Sequence, residues 1–219
     1  RSLYANTTGT TNSAFGADSL KSNTTGQQNT AIGQEALRDN TTAIFCTAVG
    51  KSALQDNETG NNNTAVGALA LDANTTGGNN TVVGRSAATT NTTGSALTAV
   101  GYTALENNST GSNSTAIGQS ALQANTTGDN NTAVGLNCGA TNTTGANNVA
   151  MGVNTFRLNT TGSNNTAIGR DALESNTTAS NNTVVGYQAL QVNTTGTENA
   201  GLGAYVLRAN TTGQRNTAI

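Results

Sequence analysis

Residues 29–45 read N-T-A-I-G-Q-E-A-L-R-D-N-T-T-A-I-F, and this 17-residue pattern returns along the whole chain. We number the repeat positions 1 to 17 from Asn29. A fixed short period is typical of solenoids, whose units bury their apolar side chains only against neighbouring units. We therefore interpret 1-219 as a single repeat array, a window of a longer or mature secreted chain. The array is phased on the position-5 glycines, which recur every 17 residues without insertion or deletion at Gly16, Gly33, Gly50, Gly67, Gly84, Gly101, Gly118, Gly135, Gly152, Gly169, Gly186 and Gly203.

The composition argues against most functional classes. The chain has 219 residues, of which 9% are charged and 3% aromatic, and it has no His, Pro or Trp. A formal charge of −2 gives no electrostatic basis for binding nucleic acid or an anionic membrane, and no apolar run is long enough for a membrane helix. Without His, and with scattered acidic residues, the sequence predicts no catalytic residues, no metal site and no cofactor. We expect the protein not to be an enzyme.

The apolar residues of the repeat predict an all-β fold. Position 4 is always apolar, position 9 is nearly always Leu, and positions 3 and 8 are mostly Ala. The T-A-[IV] run is rich in β-branched residues and ends at Gly, which is typical of a short strand. We predict a parallel β-solenoid of about 13 coils, with two short strands per coil and corners at the glycines of positions 5 and 15. Ile32, Val49 and Val66 should then stack as one buried column.

Adjacent apolar residues in each strand predict association. Neighbouring residues of a strand point to opposite faces, and Ala31 and Ile32 are both apolar, as are Ala36 and Leu37. One face would be covered by the coil interior and the other by another chain, most simply in a homotrimer or fibre. Ala at position 3 or Leu at position 9 should be covered by that chain. The alternative is that the small Ala points outward without a partner.

The T-A-I-G-x-x-A run resembles the head repeats of trimeric autotransporter adhesins and of tail-fibre-like repeat proteins. It stands here at 30–36, 115–121 and 166–172. In the adhesin family this run forms the inner strand of a left-handed parallel β-roll, three of which pack into a trimeric head. The resemblance implies an extracellular role in adhesion or surface display. The sequence departs from the family in its longer, perfectly regular period and in its added N-T-T-G corner.

An N-x-T pattern at positions 12 to 14 has two interpretations. It is the acceptor pattern for N-glycosylation, and stacked Asn and Thr at a corner are equally typical of a structural hydrogen-bonded ladder. A second, less regular set of N-x-T sites lies at Asn62, Asn79, Asn113, Asn130, Asn164 and Asn181. The candidate glycosylation sites are Asn6, Asn23, Asn40, Asn57, Asn74, Asn91, Asn108, Asn125, Asn142, Asn159, Asn176, Asn193 and Asn210.

The sequence favours a structural component of an extracellular or cell-surface fibre or adhesin shaft. A receptor- or glycan-binding phage-type fibre is the alternative, although its candidate aromatics Tyr102, Tyr187 and Tyr205 are sparse. Ice binding is less favoured, because the adjacent Thr24 and Thr25 should point to opposite sides. The two cysteines are 92 residues apart, too far along a solenoid for one disulfide.

Overall fold

The computed structural model describes all 219 residues as one parallel β-solenoid without helices. Each coil contributes one strand to a single 13-stranded sheet, in which strand order follows the chain. Residues 17 apart are paired, as in Thr30 with Thr47 and Ala31 with Ala48, so each coil lies directly on the previous one. The strands are β1 Ser13–Phe15, β2 Thr30–Ile32, β3 Thr47–Val49, β4 Thr64–Val66, β5 Thr81–Val83, β6 Thr98–Val100, β7 Thr115–Ile117, β8 Thr132–Val134, β9 Val149–Met151, β10 Thr166–Ile168, β11 Thr183–Val185, β12 Ala200–Leu202 and β13 Thr217–Ala218.

Hydrogen bonds parallel to the solenoid axis hold the coils together outside the strands as well. Of 148 backbone hydrogen bonds, only 24 lie within the strands. At position 9 the Leu20 amide donates to the Ala36 carbonyl at 3.0 Å, and at position 13 the Thr24 amide donates to the Thr41 carbonyl at 2.9 Å. Nearly the whole circumference of the coil is therefore a ladder, which satisfies the backbone of an otherwise irregular chain.

The predicted second strand of each coil is absent. The x-x-A-L segment is instead a turn with two left-handed residues, at positions 7 and 9, such as Glu35 (φ 61°) and Leu37 (φ 50°). Non-glycine residues adopt this conformation rarely, so the turn persists only because surrounding contacts impose it. Burial of the leucine is one such contact, since Leu37 is completely buried. The prediction of two strands per coil was wrong. The apolar residues of this segment do not reveal that the backbone is left-handed at positions 7 and 9.

The interior is built from small residues, with Leu as its largest regular component. Columns of Ala at positions 3 and 8 and of Leu at position 9 are buried, as shown by Ala31, Ala36 and Leu37. The predicted buried column at position 4 was wrong: Ile32 and Val66 stack in register but are 44% and 37% exposed. The prediction that another chain covers Ala at position 3 or Leu at position 9 was also wrong, since the coil itself covers both.

Two substitutions within the core show how narrow the coil is. At position 9 Gly139 replaces leucine, and the following coil carries the larger, buried Phe156 there. At position 3 Gly201 replaces alanine, and a Cβ added to it would lie 2.9 Å from Val206, which replaces alanine at position 8. Positions 3 and 8 therefore face each other across an interior that accommodates two alanines.

The two glycine corners differ in what they require. At position 5 Gly67 has φ +136°, and an added Cβ would lie 2.6 Å from the Gly84 carbonyl oxygen. Position 15 is also crowded but has no positive φ, and Ala43 and Ala179 occupy it. Both glycine positions are thus places of close approach between coils, and the left-handed conformation explains why only position 5 is invariably glycine.

Candidate functional site: the outer face and the asparagine ladders

The side of the sheet that faces away from the core is a flat, regular surface. In β2, for example, Ala31 is buried while Thr30 is half-buried and Ile32 is exposed. This alternation recurs in the other strands, so positions 2 and 4 form two parallel outward rows. The first row is mostly Thr and the second is entirely apolar. We call the surface formed by these two rows the outer face.

The outer face has no charged residue in either row, although 9% of the chain is charged. With a strand spacing of about 4.8 Å, the twelve steps from β1 to β13 span roughly 58 Å, and three residues of strand span roughly 10 Å. The apolar row at position 4 makes up about half of the resulting area of about 600 Å², which is within the range of the largest apolar patches on typical monomers. A shallow recess of about 300 Å³ lies on the same face beside β11 to β13, lined by Val185, Ala200 and Leu202 among others.

The N-x-T asparagines at position 12 form a hydrogen-bonded ladder inside the solenoid. From Asn23 to Asn193 all eleven of these side chains are completely buried, while Asn6 is exposed and Asn210 half-buried. In the central part Asn91 Nδ2 donates to Asn74 Oδ1 at 2.9 Å and to the Gly94 carbonyl at 3.0 Å. A sugar on Nδ2 would replace such a bond and would need space that the interior does not have. The folded geometry thus favours the ladder interpretation. Glycosylation of these asparagines stays a prediction, which a measurement of the intact mass of the protein would test.

The second set of N-x-T sites has a different environment. Its asparagines lie at position 17, where Asn79, Asn113 and Asn130 are exposed and adopt the left-handed conformation. Asn is among the residues that tolerate this conformation best, which is a structural reason for its recurrence. Of the two N-x-T registers in the chain, this is the one whose amides reach solvent in the folded coil.

A second internal ladder, at position 1, was missed by the sequence reasoning. Asn29 Nδ2 donates to the Ala43 carbonyl at 2.8 Å, and Asn29 Oδ1 accepts from the Cys46 amide at 2.9 Å. Cys46 takes the Asn position in its own coil, and its Sγ lies 3.2 Å from the Gly60 carbonyl, the acceptor equivalent to that of Asn29. The 17-residue recurrence of Asn at position 1 was the available signal. Burial of these polar side chains is compatible with stability because each is hydrogen-bonded.

Thr24, Thr25 and their equivalents, whose orientation bears on ice binding, form no flat hydroxyl surface. Thr24 is half-buried and its Oγ1 donates to the Thr41 carbonyl at 3.0 Å, whereas Thr25 is exposed. The one threonine row that lies beside a second regular row on a flat sheet is at position 2 of the outer face. Ice binding through Thr24 and its equivalents therefore remains disfavoured, while position 2 was not considered in the sequence argument.

Both cysteines are free and completely buried, as expected from their separation. Burial raises the pKa of the Cys46 thiol to about 11 and that of the Cys138 thiol to about 12. Since the thiolate is the reactive form, neither thiol is activated.

Asp72 is the one carboxyl group whose pKa the environment raises. Its Oδ1 is the only buried side-chain oxygen or nitrogen without a hydrogen-bond partner. The pKa of Asp72 is raised to about 6, mainly by burial and then by the charge of Asp56, while Arg38 lowers it and Glu35 adds a smaller increase. No group of three or more His, Cys, Asp or Glu side chains is arranged to hold a metal ion.

Two of the candidate aromatic residues meet at the rim of the sheet. The rings of Tyr187 and Tyr205 make an edge-to-face contact with centroids 5.2 Å apart. The Arg208 guanidinium lies 5.5 Å from the centroid of Tyr205. Tyr102 lies apart from this pair, beside Arg85. The structure thus produces one exposed aromatic and cationic cluster, made of residues 187, 205 and 208.

No protein family, curated protein or solved structure that was compared matches this chain. The fold and its β-roll character therefore rest on the structure, and the likeness to adhesin and tail-fibre repeats rests on the T-A-I-G-x-x-A run alone. None of the chain forms a helix of the length and apolarity that crossing a membrane requires.

Proposed function

We propose that this chain is a structural component of an extracellular or cell-surface fibre or adhesin shaft, and that copies of the chain associate through the outer face. The observation that carries the proposal is the row of apolar side chains at position 4, each exposed or half-buried, on a face without charge. Apolar patches of this size on a single chain are often functional. The shaft's stiffness would come from the axial hydrogen-bond ladders and the two internal Asn ladders.

A second copy of the chain is the partner that fits this face best. Because the outer face carries no charge, it offers no electrostatic complementarity to a charged partner. Its rows of side chains repeat about every 4.8 Å, and a second copy presents rows with the same period. The area of roughly 600 Å², before side chains at its rims are added, is close to the about 800 Å² per partner of a stable interface. The family resemblance favours three copies.

Light scattering combined with a charge placed on the outer face tests this proposal. We expect the wild-type chain to have about three times the 21.8 kDa mass of one chain, and Val100→Glu to dissociate it, because the carboxylate would be buried without a partner. Thr93→Glu is the matched control, since Thr93 is exposed outside the outer face. A monodisperse single chain for the wild type, or equal masses for the two variants, would contradict the proposal.

A receptor- or glycan-binding fibre is the second candidate, and the cluster of Tyr187, Tyr205 and Arg208 favours it. Tyrosine and arginine are the residues most enriched at the centres of binding sites. Binding to a glycan array that is lost in Tyr205→Ala and retained in Tyr4→Ala would support this function. If both variants retained glycan binding, the cluster would be excluded as the binding site.

Ice binding is a third candidate, because the threonines of position 2 lie in a regular row beside the aliphatic row of position 4. The row is interrupted by Val149 and Ala200. Thermal hysteresis by the wild-type chain, lost in Thr115→Asp and retained in Thr93→Glu, would favour ice binding over self-association as the role of the face. Absence of hysteresis at every oligomeric state would remove this candidate.

A further inference from the structure

The periodicity of the outer face leaves the alignment of two copies undetermined along the axis. A shift by one coil, about 4.8 Å, places Thr beside Thr and aliphatic beside aliphatic again. Repetitive strands are prone to slippage for this reason. If copies associate as proposed above, a unique axial register needs a feature that breaks the period.

The period of the outer face is broken at β9, and that of the adjoining position 6 is broken in the coils of β8 and β9. Val149 takes the place of Thr at position 2, Met151 takes position 4, and Leu136 and Val153 occupy position 6 of two successive coils. Position 6 lies just beyond the strand and elsewhere holds Ala, Gln, Lys, Arg or Tyr. The four side chains are 39% to 45% exposed. We call them the apolar patch.

Other irregular coils are weaker markers than the apolar patch. Strands β1 and β12 also depart from the pattern, each with a smaller residue at position 2 and a larger apolar residue at position 4. Neither has a large apolar side chain at all three of positions 2, 4 and 6, as the β9 coil has in Val149, Met151 and Val153. The coil of β9 is thus the most apolar segment of the face.

We infer that the apolar patch sets the axial register of the assembly, so that Val149 and Met151 of associated copies lie at the same height. This inference rests on the proposed self-association. In register, the patches cover one another. After a shift of one coil, Val149 lies beside a threonine hydroxyl, which loses water without gaining a partner. A cyclic assembly closes only when every copy has the same height, whereas a shifted contact leads to an open, staggered arrangement.

Disulfide trapping between copies measures the register. Thr64 and Thr98 both lie at position 2, two coils apart, which separates them by about 10 Å along the axis. Thr64→Cys and Thr98→Cys chains with different mass tags are mixed, assembled and oxidised. A disulfide needs Cα atoms within about 7 Å, so at zero shift only homotypic links can form, and heterotypic links report slippage by one coil or more. Buried Cys46 and Cys138 do not interfere.

The period is restored by Leu136→Gln, Val149→Thr, Met151→Val and Val153→Gln, which use residues found at these positions in other coils. With the natural patch we expect homotypic links to exceed heterotypic links about tenfold, since about 60 Å² of additional apolar burial is enough for that ratio. In the restored variant the ratio should fall towards one while the oligomeric mass is unchanged.

A matched control replaces three of the position-4 isoleucines, Ile32, Ile117 and Ile168, with valine, which removes apolar atoms without altering the pattern. The control should keep the tenfold ratio. A restored variant that keeps the ratio overturns the inference, because the patch would then have no influence on the register. A restored variant that dissociates into single chains also overturns it, because the patch would then contribute mainly to the affinity between copies. A wild-type chain that is monomeric in light scattering refutes the self-association itself, and equal links in a wild-type trimer refute only the register.

Discussion

Replacing Asn91 with alanine removes one rung from the middle of the position-12 ladder. Asn91 Nδ2 donates to Asn74 Oδ1 and to the Gly94 carbonyl, and Asn91 Oδ1 accepts from Asn108 Nδ2 at 2.7 Å. The Gly94 carbonyl keeps a bond from Asn80, and Asn108 Nδ2 keeps one to a carbonyl of its own turn. Asn74 Oδ1 loses its one donor and is left buried without a partner.

The expected cost of Asn91→Ala follows from this inventory. An unsatisfied buried acceptor costs about 1–3 kcal/mol, and each of the other two lost bonds contributes about 1 kcal/mol net. We therefore expect the free energy of unfolding to fall by about 3–5 kcal/mol. Because coils interact only with their neighbours, the loss should be concentrated in the coils that contain Asn74, Asn91 and Asn108.

Urea denaturation and hydrogen exchange of these coils measure the effect. Thr93→Ala is the matched control: it destroys the same N-x-T site, but its side chain is exposed and makes no hydrogen bond. The control should stay within about 0.5 kcal/mol of the wild type. Equal stability of Asn91→Ala and Thr93→Ala would refute the ladder argument. A loss of glycosidase-sensitive mass in both variants would instead establish glycosylation at Asn91.

Three further changes test separate parts of the fold. Gly67→Ala should lower the free energy of unfolding by about 1–3 kcal/mol more than Gly111→Ala, because only the former residue has a left-handed φ; equal costs in denaturation would contradict the corner argument. Gly139→Leu should overpack the core by about 1–3 kcal/mol, because the Leu122 Cδ2 atom would lie 3.0 Å from a Cβ added at Gly139, and should be relieved by Leu122→Ala; additive effects in a double-mutant cycle would exclude that clash. Asp72→Asn should raise the melting temperature at pH 7 but not below pH 4. The folded pKa of about 6 lies above the ordinary value of 3.8, so the natural chain loses stability as the pH rises between these values; parallel pH profiles of the two proteins would refute this.

The sequence alone determined the architecture of this protein. Seventeen-residue spacing of Gly16, Gly33 and their equivalents, without one insertion, specifies stacked coils in which each residue lies on its counterpart. Glycine at every position 5, with alanine tolerated at position 15, indicated that the second corner is the less demanding of the two. These conclusions need no coordinates, because a register that never slips constrains geometry by repetition.

Tertiary structure decided which way the side chains face. Alternation along a strand tells that Ala31 and Ile32 lie on opposite faces, but it does not tell which face the coil encloses. That choice follows from the left-handed residues at positions 7, 9 and 17, which close the coil so that position 3 faces the interior, where Ala31 is buried, and position 4 faces outward, where Ile32 is exposed. The same closure buries Asn91 and its equivalents as a ladder. An N-x-T pattern read along the chain could not separate that role from a glycan site, because burial is a property of the closed coil and not of any three residues.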